Sequence, residues 1–306
     1  MKYKVVVFGV KDTSENIVEF IHNSICPVDL VITISKDVLN KNDVSGFKGL
    51  SVLTDKYGIP VFEADSYFLT DEKTEKFMEE NEFDIAISMG WQRLIPAYVL
   101  EKFEYGVYGF HGNCGYLPFG RGRSPLNWSI INGDTRFNLN LFRYDEKADS
   151  PNVFATEMFA ITPHDNIRTA QYKNMICSKN LVRKLLKAYE EKNIVIRTDS
   201  KDFDSWYNKR TAADGKIDFH DRTRNIYNLI RGVAAPFPGA FAMCGEKKIT
   251  IWEAHPFDEI IDFSAYAPGE VVDVFDGKPV VRTVDGSLLI ERYECDKEIM
   301  TGDVLN

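Results

Sequence analysis

Little in this sequence points to a metal, a membrane or a polyanion. Five cysteines (Cys26, Cys114, Cys177, Cys244 and Cys295) are scattered without a Cys-x-x-Cys pair. Their odd number and spacing argue against a disulfide framework or a zinc site, so no metal is expected. His164, His220 and His255 show no ligand spacing either. No apolar run approaches the ~20 residues that a membrane helix needs. The opening MKYKVVVFGVKD has a basic start, but its apolar run is short and no small-residue cleavage site follows. It reads as a first strand, which leads us to expect a cytoplasmic protein with no membrane partner. Positive charge is in deficit: 37 Lys and Arg stand against 46 Asp and Glu, a net charge of −9 with a pI near 5.2. Nucleic-acid binders present a basic face, so a nucleic-acid partner is not expected. The loop Gly9 to Ser14 has no G-x-G-x-x-G, which disfavours a nicotinamide or flavin dehydrogenase. Repeats and low-complexity segments are also missing.

What is present is an α/β pattern. Tyr3 to Phe8 is a β-branched run that reads as a buried parallel strand. Ser14 or Glu15 could open a helix with Ile17, Val18, Phe20, Ile21 and Ile25 on one face, and Val28 to Ile34 is a second strand. Further along, Lys48 to Tyr57 and Asp71 to Glu80 read as helices, and Ile59 to Phe62 and Phe83 to Ser88 as strands. Pro125 to Ile131 reads as a helix closed by Asn132-Gly133. Asn138 to Phe142 and Val153 to Ile161 read as strands, a long helix starts near Pro163 and Asp165, and Ile194 to Ile196 is a late strand. After the helix RTRNIYNLIRGV come short strands at Lys248 to Glu253, Glu270 to Phe275, Val280 to Thr283 and Leu288 to Arg292. Asp276-Gly277 and Asp285-Gly286 are turn signals between them. This pattern predicts a Rossmann-like N-terminal domain with a mostly parallel sheet, residues 1–205, and a linker helix with a smaller β-rich, barrel-like domain, residues 206–306.

Chemistry concentrates between His111 and Asp149. His111, Asn113 and Cys114 lie among Gly112, Gly115, Gly120 and Gly122, so the backbone can approach a ligand closely. Cys114 has no base and orienter assigned around it and reads as packing. The run His111-Gly112-Asn113-Cys114-Gly115-Tyr116-Leu117-Pro118, then Gly120-Arg121-Gly122-Arg123 and later Ala148-Asp149, resembles the signature of the folate-dependent formyltransferases. That signature reads Asn-x-His-x-Ser-Leu-Leu-Pro, then Tyr/Trp-Arg-Gly, then Ala-Asp. In the ungapped match, which leaves the spacing to Asp149 intact, His111 takes the family's Asn position and Asn113 its His position. A gapped match keeps His111 as the family His, puts Gly109 at the Asn position and needs a two-residue insertion.

The resemblance extends to Arg210-Thr211 and Asp214-Gly215, which match an Arg-Thr-Pro-x-Asp-Gly link, and covers nearly the whole chain. It implies transfer of a formyl group from N10-formyltetrahydrofolate to a primary amine. By role, His111 is the proton shuttle, Asn113 the carbonyl-polarising donor and Asp149 the orienter; by position, the first two exchange. Folate contacts are implied for Met89, Gly90, Trp91, Leu117, Lys147 and Ala148, and substrate contacts for Lys11, Arg123 and Arg210. The run Arg121-Gly122-Arg123-Ser124-Pro125-Leu126-Asn127-Trp128 is nearly the version found in nucleotide-sugar N-formyltransferases. A guanidinium also suits a diphosphate through bidentate contacts. The expected substrate is therefore a nucleotide-linked 4-amino-deoxy sugar for a surface polysaccharide or nonulosonic-acid glycan, with UDP preferred to dTDP as carrier. A methionyl-tRNA formyltransferase and a catalytically impaired binding homologue are the alternatives. A homodimer stays open.

Overall fold

The computed structural model describes residues 1–40, 48–147, 149–198 and 203–306. In chain order the first elements are β1 (Lys2–Gly9), α1 (Asp12–Ser24), β2 (Leu30–Ile34), α2 (Lys36–Asn40), α3 (Val52–Tyr57), β3 (Val61–Ala64), α4 (Glu72–Glu80), β4 (Glu82–Met89), α5 (Ala97–Leu100) and β5 (Phe103–Asn113). Then come β6 (Arg121–Gly122), α6 (Pro125–Ile131), β7 (Arg136–Arg143), β8 (Val153–Ala160), α7 (Ile167–Glu190), β9 (Trp206–Tyr207) and α8 (Thr223–Gly232). The last are β10 (Ala240–Cys244), β11 (Lys247–Asp258), β12 (Val271–Phe275), β13 (Lys278–Thr283) and β14 (Gly286–Cys295). The chain divides into two compact units. One holds residues 1–121, 138–158 and 174–205; the other holds residues 122–137, 159–173 and 206–306.

In the described residues the first unit is built on a sheet of order β3-β2-β1-β4-β5-β7-β8. β1 to β5 run parallel, and β7 returns antiparallel to β5. Val5, Val6, Val7 and Phe8 of β1 and Phe83, Ile85, Ala86 and Ile87 of β4 are all buried, as central parallel strands require. Their core continues through Leu30, Ile32, Tyr67, Trp91 and Val107. α1 lays Ile17, Val18 and Ile21 inward. It begins at Asp12, ahead of the expected Ser14 or Glu15. The reason is that Ser14 folds back, its Oγ accepting the Val10 and Lys11 N–H groups at 3.1 Å each.

Two further differences concern strands. β5 was not legible as a strand, because Gly106, Gly109 and Gly112 interrupt it and glycine weakens strand propensity. Ile194 to Ile196 is not a strand; the segment makes one bridge, Arg197 to Val153, and Val195 is 68% exposed.

The second unit carries an antiparallel sheet of order β10-β11-β14-β13-β12 in the described residues. Leu305 bridges Cys244 of β10, and Val304 bridges Glu270 beside β12, so the chain end ties the two edge strands together. Asp276 and Gly277 both have positive φ, 52° and 75°, matching the hairpin turn expected there. Asp285 lies in the expected turn between β13 and β14, where Thr283 pairs with Gly286, and its carboxylate also accepts the Thr223 N–H at 2.8 Å at the start of α8.

α8 is fastened to the segment before α7 by a buried polar network. Arg231, 6% exposed, donates to the carbonyls of Thr162 at 3.0 Å and Asp165 at 2.7 Å and to Asn228 Oδ1 at 2.9 Å. The Asp165 carboxylate accepts from Thr162, Thr169 and Lys173. Burial works to raise this carboxyl, yet the Lys173 ammonium and the threonine hydrogen bonds outweigh it and hold it down at about 2. A folded-state value below the unfolded one contributes stability that is present above the unfolded value and lost as pH falls through the folded one. The expected contribution is about 2 kcal/mol at neutral pH, lost between about pH 4 and pH 2. Melting curves across that range should be steeper for the native protein than for Asp165→Asn; parallel curves would contradict this.

Candidate active site

In an open parallel sheet, ligands bind beyond the carboxyl ends of the strands where strand order reverses. Here the order reverses between β1 and β4, and the loops after these strands meet. Ser14 Oγ donates to the Met89 carbonyl at 2.5 Å, tying the start of α1 to the end of β4. Gly90 follows with φ 76°, and a Cβ there would stand 3.2 Å from the Lys11 side chain. Lys11 and Gly90 are thus neighbours. Trp91 turns inward: its ring packs edge-on against Phe8 and Tyr67, with centroids 5.9 and 5.0 Å apart, and is buried.

His111 and Asn113 sit on the last turn of the pleat of β5, two residues apart and so on the same face. His111 is 7% exposed; its Nδ1 lies 3.3 Å from Asp149 Oδ1 and its Nε2 2.7 Å from the Gly120 carbonyl. Each ring nitrogen faces an oxygen, Nδ1 the Asp149 carboxylate and Nε2 the Gly120 carbonyl. Asn113 is fully buried and turned to the following loop: its Nδ2 donates to the Phe119 carbonyl and its Oδ1 accepts the Gly115 N–H at 2.7 Å. The amide expected to polarise a carbonyl is thereby engaged in holding the loop, because the loop's own backbone groups are the nearest partners. Leu117, within that loop, is fully buried.

Asp149 owes its position to Asp145. The Asp145 carboxylate accepts from Lys147 N, Ser150 Oγ and Asn152 Nδ2 at 2.8, 2.6 and 2.9 Å. This clamp presents Asp149 at φ 49°, a left-handed conformation that Asp tolerates. Lys147 is exposed on the same turn, and Ala148 lies outside the described residues.

The second unit holds a separate set of the expected residues. Arg210 is half-buried, with its guanidinium carbon 4.7 Å from the centre of the Trp128 ring and Nη2 donating to the Asp214 carbonyl at 2.6 Å. Burial lowers its pKa from the usual arginine range, with Asp214 acting in the opposite sense. Trp128 stacks on Tyr207 at 5.9 Å and 14°. Arg210, Ser124, Asn127, Thr211 and Phe237 line a cavity of about 120 Å3. Arg123 is exposed, its backbone N–H donating to the Tyr207 carbonyl at 3.0 Å. A wider open groove of about 930 Å3 along β11 and β14 holds none of the residues expected from sequence.

The structure therefore brings together His111 with Asp149 and Lys11 with Gly90, and places Arg210 on an aromatic shelf. It leaves Trp91 and Leu117 in the interior. Sequence reading missed Tyr144, Asp145 and Asn138. Asn138 stands opposite Asn113 across the β5–β7 ladder and donates to the Gly115 carbonyl at 2.7 Å. The Asp145–Ser150 spacing of a side-chain-capped turn could have signalled one of these; the others depend on strand register. Among the described residues, no three His, Cys, Asp or Glu side chains are placed to hold a metal, and no helix is long and apolar enough to cross a membrane.

A mostly parallel α/β sheet is thus followed by an antiparallel sheet module, with a His–Asp pair at the first sheet's carboxyl end. Residues 1–185 match the family model described as formyl transferase, and residues 209–306 match that of the formyl transferase C-terminal domain. The chain belongs to the formyl transferase family. Among solved structures it is similar to HypX from Aquifex aeolicus at 18% identity and TM-score 0.65, covering 97% of this chain and 46% of HypX. The chain thus spans less than half the length of HypX. It is also similar to an N-formyltransferase from Helicobacter canadensis in complex with folinic acid and dTDP-3-aminofucose, at 17% identity and TM-score 0.67, covering 94% of this chain and 98% of that one. Methionyl-tRNA formyltransferase from Clostridium thermocellum is similar at 16% identity and TM-score 0.56, covering 83% and 93%.

Proposed function

We propose that this protein transfers the formyl group of N10-formyltetrahydrofolate to the amine of a nucleotide-linked 4-amino-deoxy sugar, with UDP preferred to dTDP as carrier, for a surface glycan or nonulosonic acid. The His111–Asp149 pair at the end of β5 carries the transfer reading. His111 takes the proton of the attacking amine and returns it to the leaving nitrogen, and Asp149 holds the ring by Nδ1 so that Nε2 is the working atom. For that, Nε2 exchanges its contact with the Gly120 carbonyl for one with the substrate. Asn113 and Asn138 keep the intervening loop in register.

N10-formyltetrahydrofolate supplies the activated formyl group. Gly90 suits that loop, since its missing Cβ makes room for the Ser14 and Lys11 side chains and its φ of 76° favours glycine. Lys147 and Ala148 directly precede Asp149 in sequence and would contact the same ligand. Trp91, Met89 and Leu117 support the pocket from within the core.

The sugar reading is supported by Arg123 and Arg210, with Trp128 beside Arg210: a planar base can stack on an aromatic ring while a guanidinium meets a diphosphate. Calorimetry with UDP and dTDP, alone and with a stable folate analogue, tests it. UDP should bind, and Arg210→Ala should weaken it by about tenfold or more, the worth of one charge-assisted hydrogen bond. Failure of both nucleotides to bind would favour the methionyl-tRNA reading, in which activity falls steeply with salt.

A further inference from the structure

Position 109 of β5 has no side chain, and Tyr144 fills the space. A Cβ on Gly109 would run into the Tyr144 phenol, with the hydroxyl nearest. The fit is set by the strand ladder: Gly109 pairs with Ser88 on one side and Phe142 on the other, and the Tyr144 N–H donates to the Val107 carbonyl at 2.8 Å. Gly109 and His111 are two residues apart on one strand, so the phenol lies on the same face of the sheet as the imidazole. Asp149, the partner of His111, lies close enough for its charge to bear on the phenol. The Tyr144 hydroxyl meets Ser88 Oγ at 3.4 Å, a long bond that a better acceptor would displace.

We propose that Tyr144 is a catalytic residue whose hydroxyl donates a hydrogen bond to the formyl oxygen during transfer. The proposal rests on the formyl-transfer reading and assigns the carbonyl-polarising role to a phenol, since the Asn113 amide is engaged by Phe119 and Gly115. In the step, the amine nitrogen bonds to the formyl carbon while charge builds on the formyl oxygen. The bond from that carbon to the folate nitrogen then breaks, and His111 moves the amine proton to the leaving nitrogen. The phenol keeps its proton throughout, so atoms and charge balance without another reactant. Burial, more than the nearby Asp149 charge, pushes the Tyr144 pKa up to about 12 against the opposing Ser88 hydrogen bond, and the group stays a donor at neutral pH. A donor preorganised at such an oxygen contributes about 10²-fold or more to rate.

The test is calorimetry with a stable N10-formyl folate analogue and with the same analogue lacking the formyl group. Native protein should prefer the formylated analogue by about tenfold, the worth of one hydrogen bond. Tyr144→Phe should lose that preference while binding the deformylated analogue as before, and its kcat should fall by about 10²-fold. Gly109→Ala, which keeps the tyrosine but displaces its phenol, should behave alike. A preference kept in Tyr144→Phe, or a native protein that binds both analogues equally, would overturn the assignment to Tyr144 and leave formyl transfer standing. A native protein that binds neither analogue would instead overturn the transfer reading on which the assignment rests.

Discussion

His111→Ala should reduce formyl transfer by about 10³-fold, the range that a positioned proton-transfer group supplies. The expectation follows from geometry: the imidazole is buried, held by Asp149 on one nitrogen and by an exchangeable carbonyl on the other. Asp149→Asn should cost about 10²-fold, because an amide can still touch Nδ1 but no longer fixes the tautomer that leaves Nε2 to react. Both effects should appear in kcat, with the KM for folate nearly unchanged. Asn113→Ala, by contrast, frees the loop from Gly115 to Phe119 and should raise KM along with lowering kcat. Stopped-time assays following release of tetrahydrofolate separate these cases. Full turnover by His111→Ala would remove the residue from the mechanism.

Arg231→Ala should destabilise the protein by about 3 kcal/mol, the largest stability effect anticipated for a single polar residue here. Its guanidinium satisfies the Thr162 and Asp165 carbonyls and Asn228 at once, and it lies 5.4 Å from the centre of the Tyr227 ring. Burial lowers the Arg231 pKa, with Tyr227 next in the opposite sense, which marks the desolvation that these bonds offset. Truncation would leave two carbonyls and an amide without their donor in a buried setting. Arg231→Lys should recover only part of the loss, since an ammonium cannot reproduce the planar fork. Urea unfolding measures both variants; a loss below about 1 kcal/mol for the alanine variant, ordinary for a surface residue, would contradict this view of the network.

Much of the fold was legible because local signals agreed with the global pattern. Pro125 at the first helical position and Asn132-Gly133 at the end mark α6 correctly at both termini. The runs VVVF and DIAIS could bury both faces only as central strands. β5 was hidden for the opposite reason: its glycines serve neighbours rather than the strand, Gly106 adopting φ 92° beside Arg143 and Gly109 making room for Tyr144. The polar residues of the site were visible as types but not as partners. That Asn113 faces Asn138, and that Tyr144 covers Gly109 from 35 positions away, follows from the β5–β7 register, which no local motif encodes. Asp149 was legible through its motif, whereas the Asp145 clamp that presents it appears only once the turn is folded.

The central claim is tested most directly by incubating the purified protein with N10-formyltetrahydrofolate and the UDP- and dTDP-linked 4-amino-deoxy sugars, and weighing the sugar products by mass spectrometry. The UDP-linked sugar should gain one formyl group, the dTDP-linked sugar should gain it more slowly, and His111→Ala should form both products about 10³-fold more slowly. Formylation of methionyl-tRNA with both sugars untouched, or release of tetrahydrofolate at equal rates in the native and His111→Ala proteins, would contradict the claim.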